Sequence, residues 1–150
     1  FCFSLLIWVG SNVKELPVVF GFETKDAFYS RYPGAIYKAS KFINSNLPEN
    51  SKILLFRDTR GFFLERGYVW GDPLYQTVID YSKINNGDDF YKELKNLGIT
   101  HILINNEFEW HGAIALRYKK RISDIKDDFL KKYTVNIYDS DGILVNEVKK

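Results

Sequence analysis

The chain has 150 residues, 45% of them hydrophobic and 17% aromatic, enough for one domain that buries about two thirds of its unfolded surface without a disulfide or metal staple. Its 21 Lys+Arg against 19 Asp+Glu leave a net charge of +2, too balanced for a whole-chain field to recruit nucleic acid, so no nucleic-acid partner is expected. A single Cys2 excludes an internal disulfide, and His101 and His111 lack both helical ligand spacing and a companion thiol, so no metal site is expected.

The first ten residues, FCFSLLIWVG, are almost wholly apolar but run about half the length a bilayer span needs. They lack the basic start and small-residue cleavage site of a secretory signal. Two readings stay open: the end of a transmembrane helix, with Trp8 at the interface, or a buried strand. No methionine occurs, at position 1 or elsewhere, and the expectation is a piece of a longer polypeptide. Residues 11–150 read as a single α/β domain.

From Tyr32 to Leu47, the apolar positions Tyr32, Ile36, Ala39, Ile43 and Leu47 fall on one helical stripe, with Ser30 as its cap and Pro33 in the first turn. Pro48-Glu49-Asn50-Ser51 ends that helix, and Lys52-Ile53-Leu54-Leu55-Phe56 follows as the continuous apolar run of a strand covered on both faces. Asp72-Pro73, an N-cap residue before a proline, predicts a second helix with Leu74, Val78 and Tyr81 on one face. Asn85-Asn86-Gly87 stops it. A third helix starts at Asp88 or Asp89, turns Phe90, Leu94 and Leu97 inward, and ends at Gly98.

Ile99 to Ile104 is then another apolar strand. After a helical stretch ending near Lys131-Lys132, Thr134–Tyr138 and Ile143–Val148 flank Asp139-Ser140-Asp141-Gly142 as an antiparallel hairpin at one edge. The fold class is therefore α/β: a Rossmann-like, mostly parallel sheet flanked by helices, with a C-terminal antiparallel hairpin. GxGxxG after the first strand, the Walker A lysine motif and the GxSxG elbow are all missing from the sequence.

Several segments together, Tyr37…Phe42-Ile43-Asn44…Leu47-Pro48…Ser51-Lys52-Ile53-Leu54, Arg60-Gly61-Phe62-Phe63-Leu64-Glu65-Arg66, Gly71-Asp72-Pro73 and Leu97-Gly98-Ile99-Thr100-His101-Ile102-Leu103-Ile104-Asn105, carry a family resemblance. Over roughly residues 32 to 148 the chain resembles the soluble C-terminal domain of bacterial and archaeal GT-C glycosyltransferases. These are multi-spanning relatives of the protein mannosyltransferases and aminoarabinose transferases, which move sugars from polyprenyl-phosphate donors on the outer side of the membrane. The resemblance implies a membrane-attached, extracytoplasmic location, with the membrane-embedded part of the same polypeptide as partner and a polyprenyl-phosphate sugar donor or the acceptor as further candidates. In that family the catalytic acids and the metal sit in loops between the first membrane helices. Nothing here corresponds to those loops, so the resemblance implies no catalytic residue and no cofactor in this domain.

The stretch Arg57 to Pro73, RDTRGFFLERGYVWGDP, holds the first candidate site. A parallel strand ending at Phe56 delivers Arg57, Asp58 and Arg60 to the edge where α/β folds collect ligands, and the arginine fork suits phosphate. The bland reading gives every residue a structural duty: Gly61 and Gly67 turn, Phe62, Phe63 and Tyr68 pack, Glu65 and Arg66 meet solvent, and Asp72 caps a helix.

Trp110 and His111, after Glu107 and Glu109, form a second candidate, an aromatic beside carboxylates that could grip a sugar ring. The run Arg117, Tyr118, Lys119, Lys120, Arg121 is either a solvated helix face or a membrane-surface patch, where each cation is worth about 1 kcal/mol against anionic lipid. His101 reads as an edge or partly buried histidine with a local hydrogen bond. Two function classes follow: a non-catalytic accessory domain of a membrane glycosyltransferase that caps the active site or assists acceptor binding or assembly, and a free-standing α/β ligand-binding or small enzyme domain.

Overall fold

The computed structural model describes residues 13–108 and 113–149, with residues 113–119 described as backbone alone. The expectations for residues 1–10 therefore lie outside the described residues. The chain enters through a four-residue helix α1 (Leu16–Val19) and helix α2 (Lys25–Arg31), whose N-cap Thr24 accepts a hydrogen bond from Ala27 N at 3.1 Å.

Helix α3 (Ala35–Asn46) lies within the predicted stripe but starts later than expected. Ser30 belongs to α2, and Pro33 precedes the helix, which begins after Gly34 at a φ of 56°. Ile36, Ala39 and Ile43 are its buried face, as the spacing predicts.

Strand β1 (Lys52–Phe56) follows, then an irregular segment with a 3-10 turn at Gly61–Phe63, then the short strand β2 (Gly67–Trp70). The predicted helix after Asp72-Pro73 is absent: residues 72–79 run as turns and bends, ending in a 3-10 turn at Tyr81–Lys83. Leu74 and Val78 stay exposed there, so no apolar stripe exists to hold a helix down. Helix α4 (Gly87–Asn96) is capped by the Asn86 side chain, which accepts from Asp89 N at 2.9 Å, and is followed by Gly98 at a φ of 70°. Strand β3 (His101–Asn105), the long helix α5 (Ala113–Tyr133), β4 (Thr134–Ser140) and β5 (Ile143–Val148) complete the chain.

The five strands form one sheet in the order β2-β1-β3-β5-β4, parallel from β2 to β3 and antiparallel from β3 to β4. Alternation along β1 divides the core. Ile53 and Leu55 face the layer made by α3, with Leu103, Ile143 and Val145, whereas Leu54 and Phe56 face the α4 and α5 side, with Phe90, Leu94, Ile125 and Phe129. The sheet is covered on both faces, which is why β1 and β3 read as continuous apolar runs. A β-bulge between Asn136 and Tyr138 interrupts the β4–β5 register.

Two junctions tie the layers together. Gly87 sits where an added Cβ would come within 2.6 Å of Phe129 N, so the absence of a side chain lets α4 approach α5 this closely. The Arg121 guanidinium donates to the carbonyl oxygens of Ile84 and Tyr81, at 2.7 and 3.2 Å, fastening the 3-10 turn before α4 to helix α5.

Candidate functional site

In the order β2-β1-β3, the chain leaves β1 toward one side of the sheet and leaves β3 toward the other, so the carboxyl ends of these two neighbours mark a topological switch point. Open α/β sheets place their ligands at such points, because the diverging loops leave a crevice. A cleft of about 250 Å³ lies there, lined by Arg57, Asp58, Thr59, Arg60, Tyr75 and Phe108. Its walls come from the loops after all three parallel strands.

Arg57 directly follows the last residue of β1 and has its backbone in the left-handed region, at a φ of 57°. Bulky side chains rarely occupy that region, and such a state persists where surrounding structure enforces it. The enforcing group is Asp72. Its carboxylate accepts a hydrogen bond from Arg57 N at 2.5 Å, while its other oxygen is buried with no hydrogen-bond partner among the described residues. Asp72 is 1% exposed. Burial pushes its pKa up to about 6, against the opposing pull of the Arg57 N–H and charge.

The whole Gly71-Asp72-Pro73 element is thus a clamp on the end of β1, and not the start of a helix. Gly71 N donates to Leu55 O at 2.7 Å, Gly71 O accepts from the buried Tyr81 hydroxyl at 2.5 Å, and an added Cβ on Gly71 would meet the Phe56 ring at 3.1 Å. The capping role predicted for Asp72 fails because its side chain serves a backbone N–H 15 residues earlier in the chain.

Asp58 and Arg60 form the floor. The Asp58 side chain is 1% exposed and Arg60 is 36% exposed, with Nε and NH2 of the arginine donating to the two carboxylate oxygens at 2.9 and 2.5 Å. Arg60 N and Asn105 Nδ2 also donate to Asp58, at 2.9 and 2.8 Å. Burial alone would raise the Asp58 pKa, but these donors hold it below the ordinary carboxylate value, and the same ion pair raises Arg60. Asn105, the last residue of β3 and of the resemblance segment that begins at Leu97, joins the floor although it was not among the candidate site residues. Its signal was a lone amide ending an apolar strand beside the β1 carboxyl edge.

The three residues of the first candidate site therefore come together, in unequal roles. Arg60 is paired to Asp58, and Arg57 is the lining cation with no carboxylate partner among the described residues. Downstream in the same loop, Phe63 packs edge-on against Tyr29 of α2 and Tyr37 of α3, with ring centroids 5.3 and 5.2 Å away. Phe62 is exposed, contrary to the expectation that it packs on the sheet. Arg66 is not solvated as expected: its side chain is largely buried, and NH2 donates to the carbonyls of Asn44 and Leu47, at 2.8 and 3.1 Å. Those two carbonyls close the end of α3.

The remaining candidates are placed as follows. Trp110 and His111 lie outside the described residues, as do the side chains of Arg117 and Lys119. Lys120 is exposed on α5, and Arg121 holds the Tyr81 and Ile84 carbonyls described above. His101 sits in the central strand β3, not at an edge. It is buried, with Nδ1 2.8 Å from the Thr100 hydroxyl, and burial lowers its pKa while the Glu147 charge opposes the shift.

Two larger concavities, of about 530 Å³ around Asn85, Lys120 and Asp124 and about 680 Å³ around Pro73, Thr77 and Ile122, are more open to solvent. Among the described residues, no group of three His, Cys, Asp or Glu side chains is arranged to hold a metal ion, and no helix is long and apolar enough to cross a membrane. No protein-family model matches the chain, and no curated protein matches it at a significant level.

Proposed function

We propose that the chain is a non-catalytic accessory domain of a polyprenyl-phosphate-dependent membrane glycosyltransferase, held at the extracytoplasmic membrane surface, where it caps the active site or assists acceptor binding or assembly. The observation that carries this reading is an apolar ridge at the chain entry. Val19, Phe20 and Phe22 are 71%, 67% and 86% exposed, helix α1 has no buried residue, and the apolar run FCFSLLIWVG lies upstream in sequence, separated from α1 by residues 11–15. Single exposed apolar residues are ordinary, but a contiguous ridge marks an interaction surface. The apolar character of residues 1–10, a few positions earlier in the sequence, favours the lipid interface as what covers it.

The ridge precedes an element that touches the cleft loop. Helix α2 follows it within a few residues, and Tyr29 of α2 contacts Phe63 in the loop whose Arg57 and Arg60 line the cleft.

The test is binding of the full 150-residue chain to vesicles containing anionic lipid. The wild-type chain binds, and a Phe20→Asp/Phe22→Asp double variant loses at least about tenfold in partitioning, since each buried phenyl ring is worth roughly 1.5–3 kcal/mol. Equal partitioning of the two chains would remove the membrane reading. The same chain, incubated with a polyprenyl-phosphate sugar, transfers and hydrolyses nothing on its own; turnover abolished by Asp58→Asn would make it an enzyme instead. A free-standing ligand-binding domain is the second reading, favoured by a cleft that the loops after all three parallel strands of this chain line. The two separate on the gene, because the accessory role requires hydrophobic spans encoded upstream of Phe1.

A further inference from the structure

We infer that the cleft at the carboxyl ends of β1 and β3 binds a small phosphorylated ring compound of about the size of one sugar phosphate, with Arg57 receiving the phosphate and Tyr75 and Phe108 flanking the ring. The position is the first ground: loops from three parallel strands converge at the switch point, and residues from each line the cleft.

The distribution of charge is the second ground. Asp58 is saturated by Arg60 and Asn105, which leaves the floor a neutral, rigid ion pair. Among the described residues, Arg57 remains as the cation whose charge is not compensated within the lining. Its guanidinium presents a planar fork that matches two phosphate oxygens at once, which a lysine would not reproduce. The left-handed backbone of Arg57, pinned by a buried carboxylate, fixes where that side chain leaves the main chain. Backbone strain held in place by a buried group is a recurring mark of ligand-clamping positions.

Size and surface decide the rest of the ligand. The volume of about 250 Å³ falls below the roughly 300–1,000 Å³ of pockets for drug-sized ligands, too small for a nucleotide-linked sugar. Tyr75 and Phe108 are large aromatics that remain half exposed at the rim, where ring faces can cover the C–H face of a sugar or a similar small ring. Arg60 beneath them, paired on one edge to Asp58 and still 36% exposed, offers guanidinium donors to hydroxyl groups.

This assignment rests on the cleft and survives if the membrane reading fails, because vesicle binding tests that reading and ligand titration tests this one. The full chain is titrated by calorimetry and by amide chemical shifts with glucose 1-phosphate, ribose 5-phosphate, glucose and inorganic phosphate. At least one sugar phosphate binds about tenfold more tightly than either glucose or inorganic phosphate, with shifts at residues 57–60, 75 and 108. Arg57→Gln and Arg57→Lys each weaken sugar-phosphate binding at least about tenfold, and Lys120→Gln leaves it unchanged. Tyr75→Ala/Phe108→Ala removes the preference over inorganic phosphate without altering phosphate affinity. Urea midpoints confirm that each variant is folded. No binding of either sugar phosphate, affinity no better than that of inorganic phosphate, or full binding by Arg57→Gln would each overturn the inference.

Discussion

Among the described residues, two places hold a non-glycine residue in the left-handed region, and their causes differ. In the turn between β4 and β5, Asp141 has a φ of 50° and is followed by Gly142 at 75°. A two-residue hairpin turn requires positive φ at both central positions, so the local sequence Asp-Gly both demands and tolerates the conformation. At the end of β1, Arg57 has a φ of 57° with no glycine beside it and no turn that demands it. The hydrogen bond from Arg57 N to a carboxylate 15 residues later holds it instead. The hairpin stores its geometry in two adjacent residues; the cleft stores it in a tertiary contact to a buried, titratable side chain.

The sharpest way to break the comparison is to remove that charge. The Asp72 pKa, raised from 3.8 to about 6 by burial, means that the native state holds the proton more tightly than the unfolded state does. The stability linked to protonation is therefore full below about pH 4 and is lost as pH rises through about 6. Asp72→Asn keeps an oxygen acceptor for Arg57 N and carries no charge at any pH. It should be more stable than wild type by about 3 kcal/mol at pH 8, from roughly two pKa units at 1.36 kcal/mol each, and near parity at pH 4. Urea unfolding of both chains at the two pH values measures this, and a difference independent of pH would mean that burial of the charge is not what the clamp costs.

A smaller effect separates the two left-handed residues directly. Arg57→Gly relieves a conformation that costs an ordinary L-residue roughly 1–2 kcal/mol, so even after the extra entropy of an unfolded glycine it should gain about 0.5–1 kcal/mol while abolishing ligand binding. Asp141→Gly should change stability by less than about 0.5 kcal/mol, because aspartate already tolerates the left-handed region in such turns. Equal gains at both sites would show that the two strains are alike after all. The smallest expected effect belongs to Lys38→Gln, which removes the exposed 2.9 Å ion pair to Asp141 and should leave the thermal midpoint unmoved, the hairpin needing no help from outside.

The same distinction governs what could be read from the sequence. The hairpin, the apolar runs of β1 and β3 and the buried face of α4 are legible because their causes lie within a few residues: Asp141-Gly142, Ile53 to Phe56, and the Phe90 and Leu94 spacing. Helix α2 carries an equally local signal in its Thr24 cap. Asp72-Pro73 misleads because a cap and a long-range clamp use the same residue type, and only the folded chain shows which backbone N–H the carboxylate meets. Leu74 and Val78 complete a plausible helical face in the sequence, yet nothing packs against them. Arg57, Asp58 and Arg60 are legible as a group from their place after a parallel strand. Their division into one available cation and one neutralised pair is not, since it depends on Asn105 from the neighbouring strand.

The bulge in the hairpin bears on how copies of this chain meet one another. Strand β4 ends the sheet on one side with unpaired backbone groups along its outer rim, and a regular strand in that position would invite a second molecule to extend the ladder. The register shift between Asn136 and Tyr138 bends that rim and breaks its spacing, and Lys131 and Lys132 stand just before the strand begins. At the opposite side, β2 spans four residues, too few for a stable intermolecular strip. Both flanks of the sheet are thus built to refuse strand-to-strand polymerisation, a property that matters for any domain crowded at high local density against its neighbours.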